Sequence, residues 1–359
     1  MNPHKIKKVL IIQTAFIGDV LLTEPLVRAV QTHFPELEID FLVSPRGSEL
    51  LINHPFINQL IIYDKRGQHR GVIHFFKLVR KIRARQYQLA LLPHRSWRSA
   101  LLSTLAGIPI RIGFDRSSAH WLYSHSIPYE ASTHEIDRNL RLLSPFKVNF
   151  TERLPEIFPL KQEIQKVKNR LFPDGKEIKP LVALAPGSHW YTKRWPEPYF
   201  VRLAQQLIKR DFNIVLIGGK KDRPLCTRIQ KKAGKEIVNL AGTLTLRETF
   251  VCLCRCRILV SNDSAPTHLG VAAGIPVISI FGSTSPALGF YPYGQRENVL
   301  EVSLNCRPCT DHGRRRCPKG TLECLWAITP GQVLQKIEEL QPEIQSHKLS
   351  CEAWFKELR

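Results

Sequence analysis

The segment ILVSNDSAPTHLGVAAGIPVISIF, residues 258–281, encodes a strand, a helix and a second strand in immediate succession. The apolar runs Ile258–Val260 and Val277–Phe281 are short and rich in β-branched residues, which is typical of parallel strands buried on both faces. Between them, a polar run precedes Pro266, a residue favoured in the first turn of a helix. The segment therefore predicts a helix over Ala265–Ala273 between two parallel strands, which is the repeating unit of α/β proteins.

The same alternation extends over most of the 359 residues. In the first half, we expect strands at Val9–Gln13, Ile39–Val43, Leu60–Tyr63 and Leu89–Pro93. The helices expected there are Val20–Phe34, Val72–Arg85 and Trp97–Ala106. In the second half, the other strands are expected at Leu181–Ala185, Ile214–Ile217 and Ile237–Asn239. The other helices are expected at Pro198–Arg210, Arg223–Lys232 and Leu246–Cys254. This pattern predicts two doubly wound, Rossmann-like α/β domains.

A stretch without strand patterning, residues 152–179, is rich in Pro, Lys and Glu and indicates a helix plus linker at a domain boundary. We expect an N-terminal domain over residues 1–160, a linker over 161–178, a C-terminal domain over 179–345 and a tail over 346–359. Two such domains facing each other would leave a cleft at the carboxyl ends of their strands, where sheets of this type bind ligands.

The composition, with 43% hydrophobic and 9% aromatic residues, is that of a globular protein. No apolar run reaches the roughly 18 residues of a membrane span. The basic start of the chain precedes apolar residues as in a signal peptide, but Gly18 and Asp19 interrupt that run, so a first strand is the better interpretation. With nine cysteines, an odd number, we expect reduced thiols and a cytoplasmic protein.

The net charge of +21 indicates a polyanionic partner. Much of this charge lies between Asp64 and Arg116, where twelve Lys or Arg accompany only two Asp. Nucleic acid, an anionic membrane surface or a phosphorylated substrate would each fit. The sequence lacks a helix-turn-helix, zinc-finger or RNP signature, so we expect no nucleic acid.

Asp19 follows the first strand and a glycine, at the start of the next helix. One interpretation is that Asp19 only caps this helix. The other is that it is a general base facing the expected cleft and taking a proton from an attacking hydroxyl. No G-x-G-x-x-G or Walker sequence follows the strand, which argues against an NAD enzyme or a P-loop protein.

The loop after the strand Leu181–Ala185 reads PGSHWYTKRWP, residues 186–196. Ser188 offers a hydroxyl, and Lys193 and Arg194 offer positive charge, which suits a diphosphate. Alternatively the basic pair is solvated surface and Trp195 is packing.

In the opening segment, Ser264 and Ala265 present backbone N–H groups at a helix start, a favourable place for an anion. Asp263 would repel a phosphate, so a sugar hydroxyl is its expected partner. His268 lies on the first turn, where either a structural or a binding role is possible.

Four cysteines near the end, Cys306, Cys309, Cys317 and Cys324, have the number and spacing of a structural zinc site. A packed cluster of reduced thiols is the other possibility, and it is the one we expect, with no bound metal.

Three motifs together, GDVLLTEP (residues 18–25), TKRWP (192–196) and NDSAPTHL to FGSTSP (262–286), resemble the lipopolysaccharide heptosyltransferases of glycosyltransferase family 9. The resemblance runs from about Lys7 to Leu340. It implies the GT-B fold and an inverting transfer of L-glycero-D-manno-heptose from ADP-heptose, with no obligatory metal or other cofactor. The late cysteine pattern is similar to the heptosyltransferase II branch.

The resemblance also implies roles for individual residues. Asp19 would be the catalytic base, Asp263 would hold the heptose and Asp222 would bind the adenosine ribose. The donor-binding residues that we expect are Ser188, Thr192, Lys193, Asp222, Asp263, Ser264, Ala265 and His268.

The acceptor would be a heptosylated lipid A–Kdo glycan at the inner face of the cytoplasmic membrane, to which the enzyme would bind peripherally. We expect its carboxylates and phosphates to meet Lys65, Arg66 and Arg70. Heptosyltransferases I and III, or a family member using another ADP-sugar, remain alternatives. A nucleotide-sugar epimerase is a more distant one.

Overall fold

The computed structural model describes residues 6–65, 67–173 and 180–341, and the chain divides into two compact units, Met1–Phe158 and Pro159–Arg359. Each unit contains one six-stranded parallel sheet with helices connecting its strands. Within the described residues, no helix has both the length and the apolar character needed to cross a membrane.

The first unit begins with the strand β1, in which five of six residues are buried. Its strands are β1 (Lys8–Gln13), β2 (Glu38–Val43), β3 (Gln59–Ile62), β4 (Leu89–Leu92), β5 (Ile110–Phe114) and β6 (His125–Ile127). Its helices are α1 (Ile17–Leu21), α2 (Glu24–His33), α3 (Pro45–Leu51), α4 (Val72–Arg83), α5 (Trp97–Leu105) and α6 (Glu135–Arg141). The strand order is β3-β2-β1-β4-β5-β6.

The second unit repeats this plan. Its strands are β7 (Leu181–Ala185), β8 (Asn213–Leu216), β9 (Val238–Asn239), β10 (Ile258–Asn262), β11 (Val277–Ile280) and β12 (Val299–Leu300). Its helices are α7 (Lys161–Leu171), α8 (Glu197–Ile208), α9 (Arg223–Ala233), α10 (Leu246–Leu253), α11 (Ala265–Ala272), α12 (Glu323–Trp326) and α13 (Pro330–Glu339). The order β12-β11-β10-β7-β8-β9 is the order of the first sheet, listed from the other edge.

In both sheets the chain reverses its direction of winding between the first and fourth strands, β1 and β4 in one and β7 and β10 in the other. Such a switch point leaves a crevice beyond the carboxyl ends of the two strands, because the loops that follow them turn to opposite faces. Ligands of doubly wound proteins bind there. The two switch points therefore locate the candidate site residues.

The predicted helix Val20–Phe34 is wrong as a single helix, because the structure has α1 and α2 in its place. The Thr23 hydroxyl donates to the carbonyl of Asp19 at 2.7 Å, and Pro25 in the first turn of α2 lacks the N–H that a continuous helix would use. The helix expected within residues 152–179 is present as α7, which occupies the first part of the segment 161–178 assigned to the linker. Its Glu163 forms a buried ion pair with Arg247 of α10 at 2.8 Å.

Candidate active site

Asp19 lies beyond the carboxyl end of β1, as the third residue of α1, and is half-buried. Its Oδ2 accepts the backbone N–H of Phe16 at 3.1 Å, so it does cap the start of the helix. A capping carboxylate at this place normally stays ionised at neutral pH, because the N–H group and the helix dipole favour the negative charge. The surroundings of Asp19 oppose this ionisation.

The pKa of Asp19 is raised from 3.8 to about 7. Burial is the largest cause and the negative charge of Glu135 adds to it, whereas the Phe16 N–H and the cation of Arg95 oppose the rise. A carboxyl group of this pKa is half ionised near neutral pH, which is the condition under which a general base is most effective. Capping and proton transfer are therefore compatible at this residue.

Glu135, which raises the pKa of Asp19, is buried at the start of α6 and held in place by Arg138. The guanidinium of Arg138 contacts its carboxylate at 2.6 Å and donates to the carbonyl of Ala131 at 2.9 Å. The guanidinium carbons of Arg95 and Arg138 lie 4.3 and 4.7 Å from the centre of the Tyr129 ring. These contacts fix the position of the second carboxylate. Burial also raises the pKa of Glu135 itself.

The loop after β4 contributes His94 to the same edge of the sheet. Its Nδ1 lies 3.1 Å from the hydroxyl of Thr14, which follows β1. Burial, followed by the cations of Lys65 and Arg95, lowers the pKa of His94 to about 4, so this imidazole is neutral at physiological pH. The Lys65 ammonium contacts the Thr14 hydroxyl at 3.5 Å.

The structure supports the three predicted acceptor residues to different degrees. Lys65 reaches the switch point of the first sheet, as its contact with Thr14 shows. Arg70 is exposed in the loop between β3 and α4, and its backbone carbonyl accepts from His74 at 3.0 Å. Arg66 lies outside the described residues.

In the second unit, Lys193 and Asp263 form an ion pair with their nitrogen and oxygen 2.6 Å apart. Both side chains are largely buried, at 12% and 8% exposure. Thr284, which follows β11, donates its hydroxyl to the same Oδ2 of Asp263 at 2.6 Å. In the described structure Oδ1 of Asp263 accepts no hydrogen bond, so it can still accept one from a sugar hydroxyl. The ammonium has three N–H donors, so one can hold Asp263 while the others bind a phosphate.

Lys193 is positioned by its neighbour Thr192. The Thr192 hydroxyl lies 2.9 Å from that of Ser283 and accepts the backbone N–H of Arg314 at 2.8 Å. The backbone N–H of Thr192 donates to the carbonyl of Arg314 at 3.2 Å. These contacts fix the shape of the loop that carries Lys193.

The side chain of Asn262, at the end of β10, joins this loop to the one after β7. Its Oδ1 accepts the backbone N–H of Trp195 at 2.9 Å, and its Nδ2 donates to the carbonyl of Pro186 at 2.9 Å. Trp195 is buried and donates its indole N–H to Ile328. The alternative that Trp195 is packing is therefore confirmed, whereas Lys193 is not solvated surface.

Asp222 lies beside the loop that follows β7. Its Oδ2 accepts the N–H of Gly219 at 2.9 Å, and a Cβ added at Gly187 would stand only 2.2 Å from its carboxyl carbon. Only glycine at position 187 permits this approach. Ser188, the next residue, is buried, and its carbonyl accepts from Arg194 at 2.8 Å. The structure thus brings Asp222 and Ser188 to the same edge of the sheet.

The start of α11 is formed as the sequence predicts. Ser264 is the N-cap residue, its hydroxyl donates to the carbonyl of Asn262 at 3.2 Å, and Ala265 is the first helical residue. His268 is buried on this helix. Since Asp263 immediately precedes the N-cap, the helix start lies next to the Lys193–Asp263 pair.

The cysteine-containing segment, residues 306–324, packs against the loop after β11. The N–H of Cys309 donates to the carbonyl of Ser283 at 3.0 Å, and the guanidinium of Arg307 donates to the carbonyl of Thr284 at 2.8 Å. Arg307 also contacts the carbonyls of Gly282 and Val302. This segment therefore supports the residues that contact Thr192 and Asp263.

Cys306, Cys309, Cys317 and Cys324 are free thiols. Burial raises the pKa of Cys324, and the other three thiols act on it in the same direction, whereas Arg307 lowers it. Burial acts to raise the pKa of Cys317, but backbone N–H groups of residues 319–322 lower it overall. In the described part of the chain, no group of three or more His, Cys, Asp or Glu is arranged to hold a metal ion.

Several site residues were missed by sequence reasoning: Glu135, His94, Arg95, Thr284 and Arg307. His94 and Arg95 directly follow a predicted strand, and this position in the sequence could have indicated that they lie at the carboxyl edge of the sheet. Thr284 lies in the FGSTSP motif, after a predicted strand. Glu135 and Arg307 follow no predicted strand, and only the fold brings them to the site.

A model of glycosyltransferase family 9 (heptosyltransferase) matches residues 75–319. The chain belongs to glycosyltransferase family 9. The lipopolysaccharide heptosyltransferase 2 of Escherichia coli K12 is 26% identical over 356 residues, covering 93% of this chain and 98% of that protein. The Escherichia coli lipopolysaccharide heptosyltransferase 3 is 27% identical over 279 residues, covering 75% and 82%. This family 9 enzyme is therefore a glycosyltransferase.

The fold is also similar to that of a solved family 9 structure. The Escherichia coli ADP-heptose lps heptosyltransferase II matches with a TM-score of 0.76 and 24% identity, covering 94% of this chain and all of that one. The two parallel sheets are thus those of the GT-B fold, and the predicted fold class is confirmed.

If Asp19 is the general base, kcat/KM of the wild type should rise with pH and level off above about 7, because a carboxyl group must lose its own proton before it can accept another. Asp19→Asn should reduce kcat by on the order of 10²–10⁴ and leave ADP affinity unchanged. Steady-state rates measured across a range of pH test the pH dependence and kcat, and calorimetric titrations with ADP test the affinity. Glu36→Gln is the surface control. Near-normal turnover by Asp19→Asn would exclude this role.

Replacing Glu135 by Gln should move the rise of kcat/KM to lower pH, because the negative charge that raises the pKa of Asp19 is removed. Asp137→Asn, a change of the same kind on the same helix, should leave the profile in place. The measurement is the pH–rate profile of the two variants after circular dichroism has shown that both fold. An unchanged midpoint in Glu135→Gln would show that the two carboxyl groups are not coupled.

Lys193→Ala should weaken ADP binding and lower kcat by on the order of 10², since we expect its charge to stabilise the leaving diphosphate as well as the bound one. Lys231→Ala, which removes an exposed lysine of α9, is the matched control. Calorimetry and steady-state rates report the two effects separately. If Lys193→Ala keeps both values, the Lys193–Asp263 pair is structural only.

Proposed function

We propose that this family 9 enzyme is an inverting heptosyltransferase that transfers L-glycero-D-manno-heptose from ADP-heptose to the inner core of lipopolysaccharide, as a heptosyltransferase II. The observation that carries the proposal is the carboxyl group of Asp19, which lies at the switch point of the first sheet with a pKa of about 7. The family, the motifs and the similarity to Escherichia coli heptosyltransferase 2 support it.

In this proposal Asp19 accepts the proton of an acceptor hydroxyl as its oxygen attacks the anomeric carbon of the donor. The new carbon–oxygen bond forms on the face opposite the diphosphate, so the configuration inverts. The bond between the anomeric carbon and the diphosphate oxygen breaks, and ADP leaves with the electron pair. Burial of Asp19 keeps the carboxyl basic enough to take the proton, while the nearby Arg95 limits the rise of its pKa.

The second unit would bind the donor. Lys193 would contact the diphosphate, and the backbone N–H groups at Ser264 and Ala265 would meet a phosphate at the start of α11. Asp263 would accept a heptose hydroxyl through Oδ1, since Lys193 and Thr284 already occupy Oδ2. For the remaining residues, Asp222 would bind the ribose, and Ser188, Thr192 and His268 would complete the pocket.

The first unit would bind a heptosylated lipid A–Kdo acceptor at the inner face of the cytoplasmic membrane, with which the enzyme would associate peripherally. Lys65, which reaches Thr14 beside the loop of Asp19, is the best placed of the predicted acceptor residues. Arg70, exposed in the same loop, would meet carboxylates and phosphates further out. Arg66, which lies outside the described residues, is proposed as an acceptor residue from the sequence alone.

The competing assignments are transfer to a different core position, as by heptosyltransferase I or III, and use of another ADP-sugar. Escherichia coli heptosyltransferase 3 is as similar in identity as heptosyltransferase 2, but over less of the chain. The decisive assay incubates the purified enzyme with ADP-heptose or another ADP-sugar and with core acceptors truncated at successive positions. Mass spectrometry then identifies which acceptor gains a heptose. Transfer only to an acceptor without heptose would favour type I over type II.

Turnover should survive EDTA, because Lys193 and the start of α11 supply the positive charge that a metal supplies in other transferases. The same transfer assay, with and without chelator, is the measurement. Activity lost in EDTA and restored by Mg²⁺ or Mn²⁺ would contradict this mechanism. Loss restored only by Zn²⁺, together with unfolding seen by circular dichroism, would point to the four late cysteines.

A further inference from the structure

The helix α4 exposes apolar side chains in its first two turns. Val72, Ile73 and Phe76 are 70%, 72% and 51% exposed. On the opposite side of the same helix, Leu78, Val79 and Ile82 are buried in the core of the first unit. The helix is therefore anchored through one face, and its three outward apolar residues are not needed for that packing.

The outward side of α4 continues with positive charge. Lys77, Arg80 and Lys81 are exposed, and none of them has a carboxylate partner within the described chain. Positions 65–114 contain no Asp or Glu at all. Residues three and four apart share a helix face, so the cations lie along the same surface as the apolar residues. We call Val72, Ile73, Phe76, Lys77, Arg80 and Lys81 the α4 face.

Two exposed tryptophans lie on α5 and on a short helical turn that packs against α5. Trp97, 51% exposed, is the first residue of α5, which packs against α4. Trp121, 70% exposed, belongs to the short helical turn His120–Leu122, which packs against α5. Tryptophan is enriched at the boundary between lipid and water, because its ring is apolar and its N–H is polar.

We propose that the α4 face docks on the anionic surface of the bilayer that carries the acceptor. Val72, Ile73 and Phe76 would enter the interface between headgroups and acyl chains, and the three cations would lie on lipid phosphates. The proposal rests on the proposed function for the location of the acceptor. It goes further in assigning membrane contact to one helix and in adding apolar insertion to charge attraction.

Charge complementarity selects a bilayer over a protein partner. Lysine is depleted in protein–protein interfaces, whereas apolar side chains flanked by Lys and Arg on one helix face are typical of helices lying on anionic membranes. Positions 65–114 of the first unit contain Lys and Arg but no Asp or Glu. An extended anionic surface can therefore contact more of these cations than a single binding site can.

Vesicle co-sedimentation of the full chain tests the proposal, with vesicles of phosphatidylcholine alone and vesicles containing phosphatidylglycerol. One variant carries Val72→Ser, Ile73→Ser and Phe76→Ser. The other carries Lys77→Gln, Arg80→Gln and Lys81→Gln. Two control variants carry changes of the same kind elsewhere on the surface. The apolar control combines Ile52→Ser and Leu154→Ser. The charge control combines Lys161→Gln, Lys231→Gln and Lys235→Gln.

The wild type should prefer the phosphatidylglycerol vesicles, and each α4 variant should partition onto them on the order of tenfold more weakly. The controls should behave as the wild type does, and Phe76→Leu, which keeps an apolar side chain, should retain binding. Equal binding of wild type to both vesicles, or equal losses in the controls and the α4 variants, would overturn the proposal. Circular dichroism establishes that each variant is folded.

Transfer to a deacylated acceptor separates this proposal from the proposed function. The α4 variants should transfer heptose to the lipid-free acceptor at the wild-type rate while losing vesicle binding. If the wild type transfers no heptose but shows the vesicle results above, the proposed function fails and the docking face stands. If the variants keep vesicle binding and lose transfer to the lipid-free acceptor, the α4 face contacts the glycan and the membrane proposal is wrong.

Discussion

Both sheets are parallel and covered on both faces, so most of the side chains of their strands are apolar and buried. All five residues of β7 and five of six in β1 are buried. Polar side chains are therefore concentrated where the strands end, and the winding order brings the ends after β1 and β4, or β7 and β10, together. Asp19, His94 and Asp263 all occupy such positions. Because both sheets have this topology, each unit places a cluster of polar residues at its switch point. The two clusters differ in the residues that form them.

The two clusters differ in how their charged groups are arranged. Around Asp19, burial and a second carboxyl group disfavour the charged form, and this gives a group that exchanges protons near neutral pH. In the second unit, a positive and a negative side chain, Lys193 and Asp263, pair directly at 2.6 Å in a largely buried place. The first arrangement suits chemistry on a hydroxyl, and the second suits recognition of a charged donor.

The sequence predicted the elements whose signals are local. The apolar strands β1, β2, β4, β7, β10 and β11 were found, and Asp19, Lys193 and Asp263 were singled out because each follows such a strand. The strand β5 was missed because Arg111 and Gly113 interrupt its apolar pattern; in the structure Arg111 turns back to the carbonyl of Leu122 at 2.7 Å. Glu135 could not be found, because its influence on Asp19 depends on packing between distant parts of the chain.

The contact between Thr192 and Arg314 joins residues 122 positions apart. Strands β7, β8, β9, β10 and β11 are all complete in sequence before Arg314 is added to a growing chain. During synthesis, the sheet of the second unit can therefore form while the loop of Lys193 still lacks its support. The loop reaches its final shape only when the cysteine-containing segment leaves the ribosome and packs against Ser283 and Thr284. The fixed shape of the loop that carries Lys193 is thus among the last features that the nascent protein acquires.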